Sequence, residues 1–345
     1  MRYKLYSLSA EAMVAMREAI AQAKTSLYWE SYIFQNEVVV AHNFFELFLE
    51  KARSGVRVVI ILDGFGSAYL REHDVAALRA AGAEVLFFSS WFRRVHRKIL
   101  VVDERVGFFG GVNVGRAYVG WLDLHVRVQG RLVQALVRTF AHSYEVCGGA
   151  STDLLEKHKL PAVVVRTKIW LLEHWPVLNK RRLRTHYEER IRSAKKHIVF
   201  VSPYFIPHAW LITLLREAQE RGVTVDVILP QYTDPKIATI ANYLNARRLE
   251  SARMHFYFTK EMVHAKALLI DDTEGMIGSQ NIDAFSFDHN TEMSAVFSQK
   301  SMIRDLRRIL ERWKSEAVPF QKLAWKPRWY HNPLTYILDW LQPIL

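Results

Sequence analysis

Two short stretches of the sequence place a histidine and a lysine two residues apart at the head of an apolar run. They are HRKILVVD, which contains His96 and Lys98, and HAKALLID, which contains His264 and Lys266. Alternate residues of an extended strand share a face, so within each stretch the imidazole and the ammonium point the same way. Burying two lysines without an anion to meet them is costly. We therefore expect a negatively charged group to bind between the two stretches.

A single stretch of this kind has a simpler interpretation, in which the histidine is a packed core residue and the lysine reaches solvent. The second copy disfavours it, because further polar positions are also repeated. Seventeen residues after each histidine stands an asparagine, Asn113 in GGVN and Asn281 in GSQN. An acidic residue follows each asparagine, Asp123 after ten residues and Glu292 after eleven.

Each stretch ends in an aspartate, Asp103 or Asp271, five residues beyond the lysine. As members of the repeated pattern, both are candidate catalytic residues. In a regular strand, however, a residue five positions on has the opposite parity to the lysine. We therefore expect both carboxylates to point away from substrate and to anchor the strand end through hydrogen bonds or a charge pair.

Composition narrows the classes of partner. The 345-residue chain is 50% hydrophobic and 24% charged, which is typical of a packed globular protein. Its formal net charge of +12 favours an anionic partner, such as nucleic acid, a phosphorylated small molecule or an acidic lipid surface. The single cysteine, Cys147, excludes an internal disulfide and a thiolate metal site and indicates a reducing compartment. No run of eighteen apolar residues occurs, and the first residues predict a helix rather than a signal peptide.

The order of predicted elements repeats along the chain. Strands separated by a helix are predicted over 26–34 and 54–64, and again over 197–206 and 221–230. Strands that alternate with helices predict an α/β fold with helices on both faces of a sheet. The predicted units are an N-terminal half over 1–150, a C-terminal half over 160–318 and an aromatic and basic tail over 319–345.

The doubled pattern resembles that of the phospholipase D superfamily. The stretches HRKILVVDERVGFFGGVN and HAKALLIDDTEGMIGSQNID, together with WLDLHVRVQG, are most similar to those of bacterial cardiolipin synthases, and the resemblance covers residues 3 to 318. It implies two duplicated α/β/α sandwich halves packed with pseudo-twofold symmetry and an active site at their junction. It also implies a reaction that requires no cofactor and no metal ion.

The resemblance assigns roles to the repeated residues. One histidine forms a covalent phosphohistidine, and the other protonates the departing alkoxide and later deprotonates the incoming alcohol. By analogy His96 is the nucleophile and His264 is the acid and base. The residues implied to hold the nonbridging phosphate oxygens are Lys98, Lys266, Asn113 and Asn281. Asp123 and Glu292 are implied to hydrogen-bond the remote ring nitrogens of the histidines and to fix their tautomers.

The first half departs from the full family pattern at two positions. Gly111 stands where the second half has Ser279, and Asp123 replaces the glutamate that the pattern leads one to expect. The alternative interpretation of Asp123 is a solvated loop carboxylate. Tyr32 and Tyr204 close paired strands near the predicted site, but aromatic residues of such strands are more often core. Neither tyrosine is therefore included among the candidate site residues.

The substrate implied by the resemblance is phosphatidylglycerol, whose phosphatidyl group would pass to a second phosphatidylglycerol with release of glycerol. Nucleases of the superfamily commonly carry one motif per chain, so two motifs disfavour nucleic acid. The alternative is a phospholipase D-type phosphodiesterase or nuclease that uses the same histidines, and a non-catalytic binding protein is a further one. Phosphatidylethanolamine is left open as a donor, and the oligomeric state is not predicted.

Two segments mix aromatic and basic residues as proteins do at the interface of an acidic membrane. The tail contains Trp325, Trp329, Tyr330, Tyr336 and Trp340 beside Lys322, Lys326 and Arg328. The segment after residue 168 contains Trp170 and Trp175 before Lys180, Arg181, Arg182 and Arg184. We expect peripheral attachment to other anionic phospholipids of the cytoplasmic face of a bacterial cell membrane. The alternative for either segment is inward aromatics with a solvated basic face.

Overall fold

The computed structural model describes residues 2–34, 36, 43–90, 93–159, 168–178 and 181–323. The chain divides into two compact units, residues 1–171 and 172–345, which are described separately. Most of the predicted aromatic and basic tail, from residue 324 onward, lies outside the described residues.

The first unit is a seven-stranded mixed sheet with helices on both faces. Its elements are β1 (Arg2–Leu8), α1 (Ser9–Ala21), β2 (Ser26–Ser31), α2 (Phe44–Arg53), β3 (Arg57–Asp63), α3 (Glu72–Ala80), β4 (Glu84–Phe88), β5 (Ile99–Val102), β6 (Val106–Gly110), β7 (Leu122–Gln129), α4 (Arg131–Val146) and α5 (Thr152–Lys159). The strand order is β1-β7-β6-β5-β2-β3-β4. Strands β2, β3 and β4 are parallel, and β5 joins β2 antiparallel.

The side chains of β2 show how the two faces of this sheet are covered. Trp29 packs against Phe44 and Phe48 of α2, with ring centroids 5.6 and 5.3 Å apart. Tyr28 points to the opposite face, where its ring stacks on Phe140 of α4. Both faces of β2 are therefore dry, which explains why the strand has an unbroken rather than an alternating buried pattern.

The second unit repeats this arrangement. Its elements are β8 (Ile169–His174), α6 (Arg182–Ser193), β9 (His197–Val201), α7 (Ala209–Glu220), β10 (Thr224–Pro230), α8 (Lys236–Leu249), β11 (Met254–Thr259), β12 (Ala267–Ile270), β13 (Glu274–Gly278), β14 (Glu292–Phe297), α9 (Lys300–Glu316) and β15 (Val318–Pro319). The sheet order is β15-β11-β10-β9-β12-β13-β14-β8. Read from β8, this is the order of the first sheet with β15 added at the far edge. The predicted α/β fold and its duplication are confirmed.

The boundary between the units lies later in the chain than the predicted limits at 150 and 160. Helix α5 belongs with the first unit, because Arg57 forms an ion pair with Asp153. The ring of His158, also in α5, stacks on His142 with a centroid separation of 4.3 Å. The division at residue 171 falls within β8, a strand of the second sheet.

Candidate active site

The two histidine-lysine pairs lie at the carboxyl edge of the parallel strands in their own units. Ile99 at the start of β5 pairs with Glu30 near the end of β2, so the preceding residues His96 and Lys98 enter at that edge. Ala267 at the start of β12 pairs with Val201, the last residue of β9. This edge is where ligand sites form in α/β sheets. The regular strands begin one residue after each lysine, later than the sequence pattern predicted.

The histidine and lysine of each pair make the same local contact in both units. Lys98 Nζ donates a hydrogen bond to the backbone oxygen of His96 over 2.8 Å, and Lys266 Nζ donates to the backbone oxygen of His264. All four side chains belong to buried residues. The bond fixes each ammonium beside its own histidine while using only one of three N–H donors. In each unit the ammonium group therefore lies beside the backbone of its own histidine.

The residue between each histidine and lysine points to the opposite face of the sheet, and here the units differ. Arg97 is fully buried and forms an ion pair with Glu30 over 2.7 Å, and Glu30 also accepts a hydrogen bond from Ser143. The equivalent residues of the second unit are the apolar Ala265 and Val201. Because Glu30 neutralises Arg97, this arginine adds no net positive charge near His96.

Tyr32 packs on the first pair, although sequence reasoning left it out. Its ring meets that of His96 edge-on at a centroid distance of 5.0 Å, and Lys98 Nζ lies 5.3 Å from the same ring centroid. The available signal was its position at the carboxyl end of β2. Tyr204 makes a different contact, since its hydroxyl donates to the backbone oxygen of Asp234 over 2.6 Å.

Strand register places Asp123 and Glu292 at equivalent positions. Gly110 pairs with His125 in the first sheet, and Gly278 pairs with Ser294 in the second, so each acid lies two residues before the paired residue. Asp123 lies within β7 and is 1% exposed, which rules out a solvated loop carboxylate. Both acids therefore belong to the buried interior of their units.

Glycine at position 111, where the second unit has a serine, is explained by its contact with Asp123, whose side chain is shorter than that of Glu292. A Cβ atom at Gly111 would lie 2.2 Å from Asp123 Oδ1, so the carboxylate occupies the space that a larger residue would need. In the second unit, the Ser279 hydroxyl donates to Glu292 instead. Glycine with aspartate and serine with glutamate are thus two solutions to the same packing problem.

The two asparagines each carry a buried amide oxygen without a protein partner. Within the described residues, Asn113 Oδ1 and Asn281 Oδ1 are shielded from solvent and accept no hydrogen bond. The backbone N–H of Asn281 donates to Ser286 Oγ over 2.9 Å, and that hydroxyl donates to Glu292 over 2.9 Å. An amide oxygen without a hydrogen-bond partner at the same position of both repeats is suited to a polar group of a ligand. Rotation of the amide by 180° would present its N–H donors instead.

A second buried carboxylate, Asp283, distinguishes the second unit and was not predicted. It accepts a hydrogen bond from the backbone N–H of Ser286 over 2.8 Å. Burial, together with the nearby Glu292 carboxylate, raises the pKa of Asp283 to about 6. Counting from the asparagines, the first unit has Gly115 at this position. The second site therefore holds a carboxyl group that titrates just below neutral pH.

His125 lies between charged residues of the first site. The pKa of His125 is lowered to about 4, because burial outweighs the opposing effect of the Asp123 carboxylate and the Lys98 ammonium adds to the effect of burial. The imidazole is therefore neutral at pH 7. Its proximity to both Lys98 and Asp123 links two of the predicted site residues, and the bond from Asp123 to the His96 ring stays a prediction.

Asp103 and Asp271 make the contacts of strand-end anchors. Asp103 accepts hydrogen bonds from the backbone N–H groups of Lys24, Thr25 and Ser26, over 2.7 to 3.1 Å. These bonds hold the pKa of Asp103 below its usual range, although burial alone would raise it. Asp271 accepts equivalent bonds from residues 195 to 197. These contacts are the ones expected of strand-end anchors, and each aspartate lies at the opposite end of its strand from the histidine.

Both aspartates also occupy tight turns with unusual backbone geometry. The φ angles of Asp103 and Glu104 are both 51°, and those of Asp271 and Asp272 are 50° and 53°. Two successive residues in the left-handed region give the hairpin turn whose twist matches antiparallel strands. Aspartate tolerates this region because its carboxylate can hydrogen-bond the nearby backbone.

The basic segment after residue 168 agrees only in part with the expected membrane contact. Trp175 is 1% exposed and belongs to the interior, as the alternative interpretation held, whereas Trp170 is 38% exposed. The Arg184 guanidinium lies 5.0 Å from the ring centroid of Trp210, and Lys180 lies outside the described residues.

The described residues contain neither a cluster of metal ligands nor a membrane-spanning helix. Across the described ranges, no group of three or more histidine, cysteine, aspartate or glutamate residues is arranged to hold a metal ion. In the same part of the chain, no helix has both the length and the apolar character needed to cross a bilayer.

Comparison with known proteins places both units in one family. The family model described as "Cardiolipin synthase, PLD-like domain" matches residues 16–143 and again residues 187–314. A probable cardiolipin synthase of Bacillus subtilis is 30% identical over 84% of this chain, which spans 61% of that relative's length. The minor cardiolipin synthase of the same organism is 28% identical, with coverage of 97% of this chain and 89% of the relative.

Among solved structures, phosphatidylserine synthase of Haemophilus influenzae has a TM-score of 0.79 at 14% identity and covers 99% of this chain and 95% of its own. Polyphosphate kinase of Porphyromonas gingivalis has a TM-score of 0.63, also at 14% identity, and covers all of this chain and 54% of its own. These likenesses show the fold. The family model that matches both units establishes that the chain belongs to the cardiolipin synthase family built from phospholipase D-like domains.

Proposed function

We propose that the protein is a cardiolipin synthase that transfers a phosphatidyl group from one phosphatidylglycerol to another and releases glycerol. The observation that carries the proposal is the repeated pair of a buried histidine and a lysine bonded to its backbone, at the carboxyl edge of both sheets. The names of the relatives support this lipid product, and the net charge of +12 suits an anionic lipid.

In the proposed reaction both histidines act on one phosphodiester. A ring nitrogen of His96 attacks phosphorus, and the bond from phosphorus to the glycerol headgroup breaks as His264 donates a proton to the departing oxygen. The glycerol hydroxyl of a second phosphatidylglycerol then gives its proton to His264 and attacks the phosphohistidine. His96 is released unchanged, and cardiolipin forms.

The other repeated residues have supporting roles in this proposal. Lys98, Lys266 and the amides of Asn113 and Asn281 hold the nonbridging oxygens as charge shifts in the transition state. Asp123 and Glu292 orient the two imidazoles, and their burial within strands favours such a fixed role. Asp103 and Asp271 hold the strand ends and take no part in the chemistry.

We place the reaction at the cytoplasmic face of a bacterial membrane, with the protein bound peripherally. The competing function is hydrolysis of a phosphodiester, in a lipid or a nucleic acid, by the same histidines. Two motifs in one chain favour the lipid. Phosphatidylethanolamine in place of one phosphatidylglycerol is a variant of the same reaction.

The test is incubation of the purified protein with phosphatidylglycerol vesicles, and separately with single-stranded DNA, in the absence of divalent metal. Cardiolipin and glycerol in equal amounts are expected, with intact DNA. His96→Ala and His264→Ala should each lower the rate by about a thousandfold or more. The matched control is His73→Ala, because the side chain of His73 is 66% exposed.

The phosphohistidine gives a second readout. With phosphate-labelled phosphatidylglycerol, the wild type stopped during turnover should carry acid-labile label on His96, and His264→Ala should acquire this label more slowly because departure of glycerol lacks its acid. The His96→Ala variant should carry no label. Full activity of either variant would exclude the mechanism, and cut DNA without cardiolipin would support the nuclease alternative.

A further inference from the structure

We propose that two exposed loops, one in each unit, insert aromatic and aliphatic side chains into the headgroup region of an anionic membrane beside the active site. The first loop comprises residues 64–71 after β3, and the second loop comprises residues 231–237, which run from the end of β10 through the first two residues of α8. The inference rests on the proposed function, because it assumes a lipid substrate.

The exposed apolar residues of these loops occupy related positions. Phe65 lies two residues after the end of β3 and is 67% exposed, and Tyr232 lies two residues after the end of β10 and is 73% exposed. Tyr69 is 79% exposed and Ile237 is 49% exposed in the same two loops. Large apolar side chains this exposed cost solubility, and the equivalent positions of Phe65 and Tyr232 indicate a shared use.

Both loops are well defined, so the exposure does not arise from missing local contacts. In the first loop, Asp63 Oδ1 accepts hydrogen bonds from the backbone N–H groups of Phe65 and Gly66 over 3.0 and 2.9 Å. In the second loop, Thr233 is buried and its backbone N–H donates to Thr239 Oγ1 over 2.8 Å. Each loop therefore presents its apolar side chains outward on a fixed backbone.

A hydrogen bond connects the first loop to the segment that contains His96. Asp63 Oδ2 accepts a hydrogen bond from the backbone N–H of Val95 over 2.9 Å, so one carboxylate holds both the loop and the residue before His96. Gly66 packs against Tyr32, where a Cβ atom would lie 2.2 Å from the backbone oxygen, and Tyr32 in turn contacts His96. A lipid surface that receives Phe65 would thus bring headgroups close to the nucleophile.

The second loop has the same place in its own sheet. Strand β10 lies beside β9, and His264 enters at the carboxyl end of β9, so the loop after β10 leaves from the edge where His264 lies. Tyr204, at that edge, holds the loop through its bond to the backbone oxygen of Asp234. Aromatic rings that are apolar in the body and polar at the tip suit the headgroup region.

The charged residues of each loop indicate which kind of lipid surface that loop would bind. The first loop ends in Arg71, whose side chain is 69% exposed and pairs with Asp74 over 3.5 Å, and the Arg94 guanidinium lies 4.3 Å from the ring centroid of Phe65. Arginines beside an inserting ring favour an anionic bilayer over a neutral one. In the second loop, exposed Asp234 balances exposed Lys236. The first loop should therefore respond to lipid charge and the second loop should not.

The test compares paired substitutions in each loop with a control elsewhere on the surface. The variants are Phe65→Ser with Tyr69→Ser, and Tyr232→Ser with Ile237→Ser, and the control is Val14→Ser, a 53% exposed position on α1. Sedimentation with vesicles of phosphatidylglycerol and phosphatidylcholine measures binding. Turnover of a short-chain phosphatidylglycerol below its aggregation concentration measures chemistry without a membrane.

Each loop variant should lose about tenfold in vesicle partitioning and keep the turnover of monomeric lipid, while Val14→Ser behaves as wild type. Replacing the anionic lipid with phosphatidylcholine should weaken the contribution of the first loop only. Vesicle binding unchanged in both loop variants would overturn the inference, as would loss of single-stranded DNA binding with vesicle binding intact. No turnover by the wild type on either lipid form would instead refute the proposed function.

Discussion

At the scale of single residues, the two units solve the same packing problem with different side chains. The carboxylate of Asp123 fills the space beside Gly111, whereas the carboxylate of Glu292 meets the hydroxyl of Ser279. The two positions are therefore coupled, and a change at one should be judged against the other.

We expect Gly111→Ser alone to destabilise the protein by about 1–3 kcal/mol, because the new side chain overlaps Asp123. Adding Asp123→Glu, which reproduces the pair of the second unit, should recover part of that loss. Urea unfolding of both single variants and the double variant measures the coupling. Gly120→Ser is the control, since a Cβ atom there meets open space. Additive effects of the two substitutions would contradict the coupling.

The site positions that could be predicted from the sequence are those that occur in both units. The spacing of His96 to Asp123 and of His264 to Glu292 identified equivalent positions, and the sheet register confirms their equivalence. Tyr32 was noted together with Tyr204, but aromatic residues of such strands are more often core, and the contact of Tyr32 with His96 forms only when the sheet is assembled. Asp283 has Gly115 at the corresponding position of the first unit, so repetition gave no signal for it.

At the scale of elements, strands β2 and β5 carry a buried ion pair that their counterparts β9 and β12 lack. Glu30 and Arg97 are both fully buried as side chains, and the second unit has Val201 and Ala265 instead. Two apolar residues therefore occupy, in the second sheet, the positions that the ion pair occupies in the first. The sequence did not reveal the pair, because the two residues are 67 positions apart and their contact requires the strands to be adjacent.

We expect Arg97→Met to cost about 3–5 kcal/mol of unfolding free energy, because Glu30 is left buried without its partner. The double variant Glu30→Leu with Arg97→Met should be more stable than that single variant. Denaturant unfolding monitored by circular dichroism tests this order. Arg57→Ala, which removes the partly exposed pair with Asp153, should cost at most about 1 kcal/mol. A double variant less stable than Arg97→Met would show that the charges themselves are required.

The extents of the elements were predicted less well than their order. The alternation of strands and helices indicated the α/β fold, but the predicted halves, 1–150 and 160–318, assigned α5 to neither. That helix is held by contacts to distant residues, Arg57 and His142, which no local pattern reveals.

At the scale of the whole molecule, buried histidines make stability depend on pH. His125 has a pKa of about 4, and burial also lowers the pKa of His174. An unfolded chain takes up protons on these histidines below about pH 6.5, whereas the folded chain takes them up only at lower pH. The contribution of His125 is therefore complete above about pH 6.5 and is lost as the pH falls toward 4, and that of His174 changes in the same direction. The raised pKa of Asp283 acts in the opposite sense, favouring the fold as the pH drops through 6.

His125→Gln should reduce the slope of the unfolding free energy against pH, between pH 6 and pH 5, by about 1.4 kcal/mol per pH unit. Glutamine keeps a polar side chain but binds no proton in this range. The measurement is the unfolding free energy at pH 7, 6 and 5, with the exposed His73→Gln as control. A slope equal to that of the wild type would mean that His125 titrates normally in the folded protein.

The anchoring of Asp103 and Asp271 also bears on how each half finds its correct alignment. Each carboxylate reaches several consecutive amides in a segment more than 70 positions earlier in the chain. Slippage of β5 against β2, or of β12 against β9, by one residue would break these bonds together and would also turn the buried side chains outward. The hydrogen bonds at the hairpin turns therefore stabilise the native strand register. A sheet shifted by one residue would lose these bonds and would place the histidines on the wrong face.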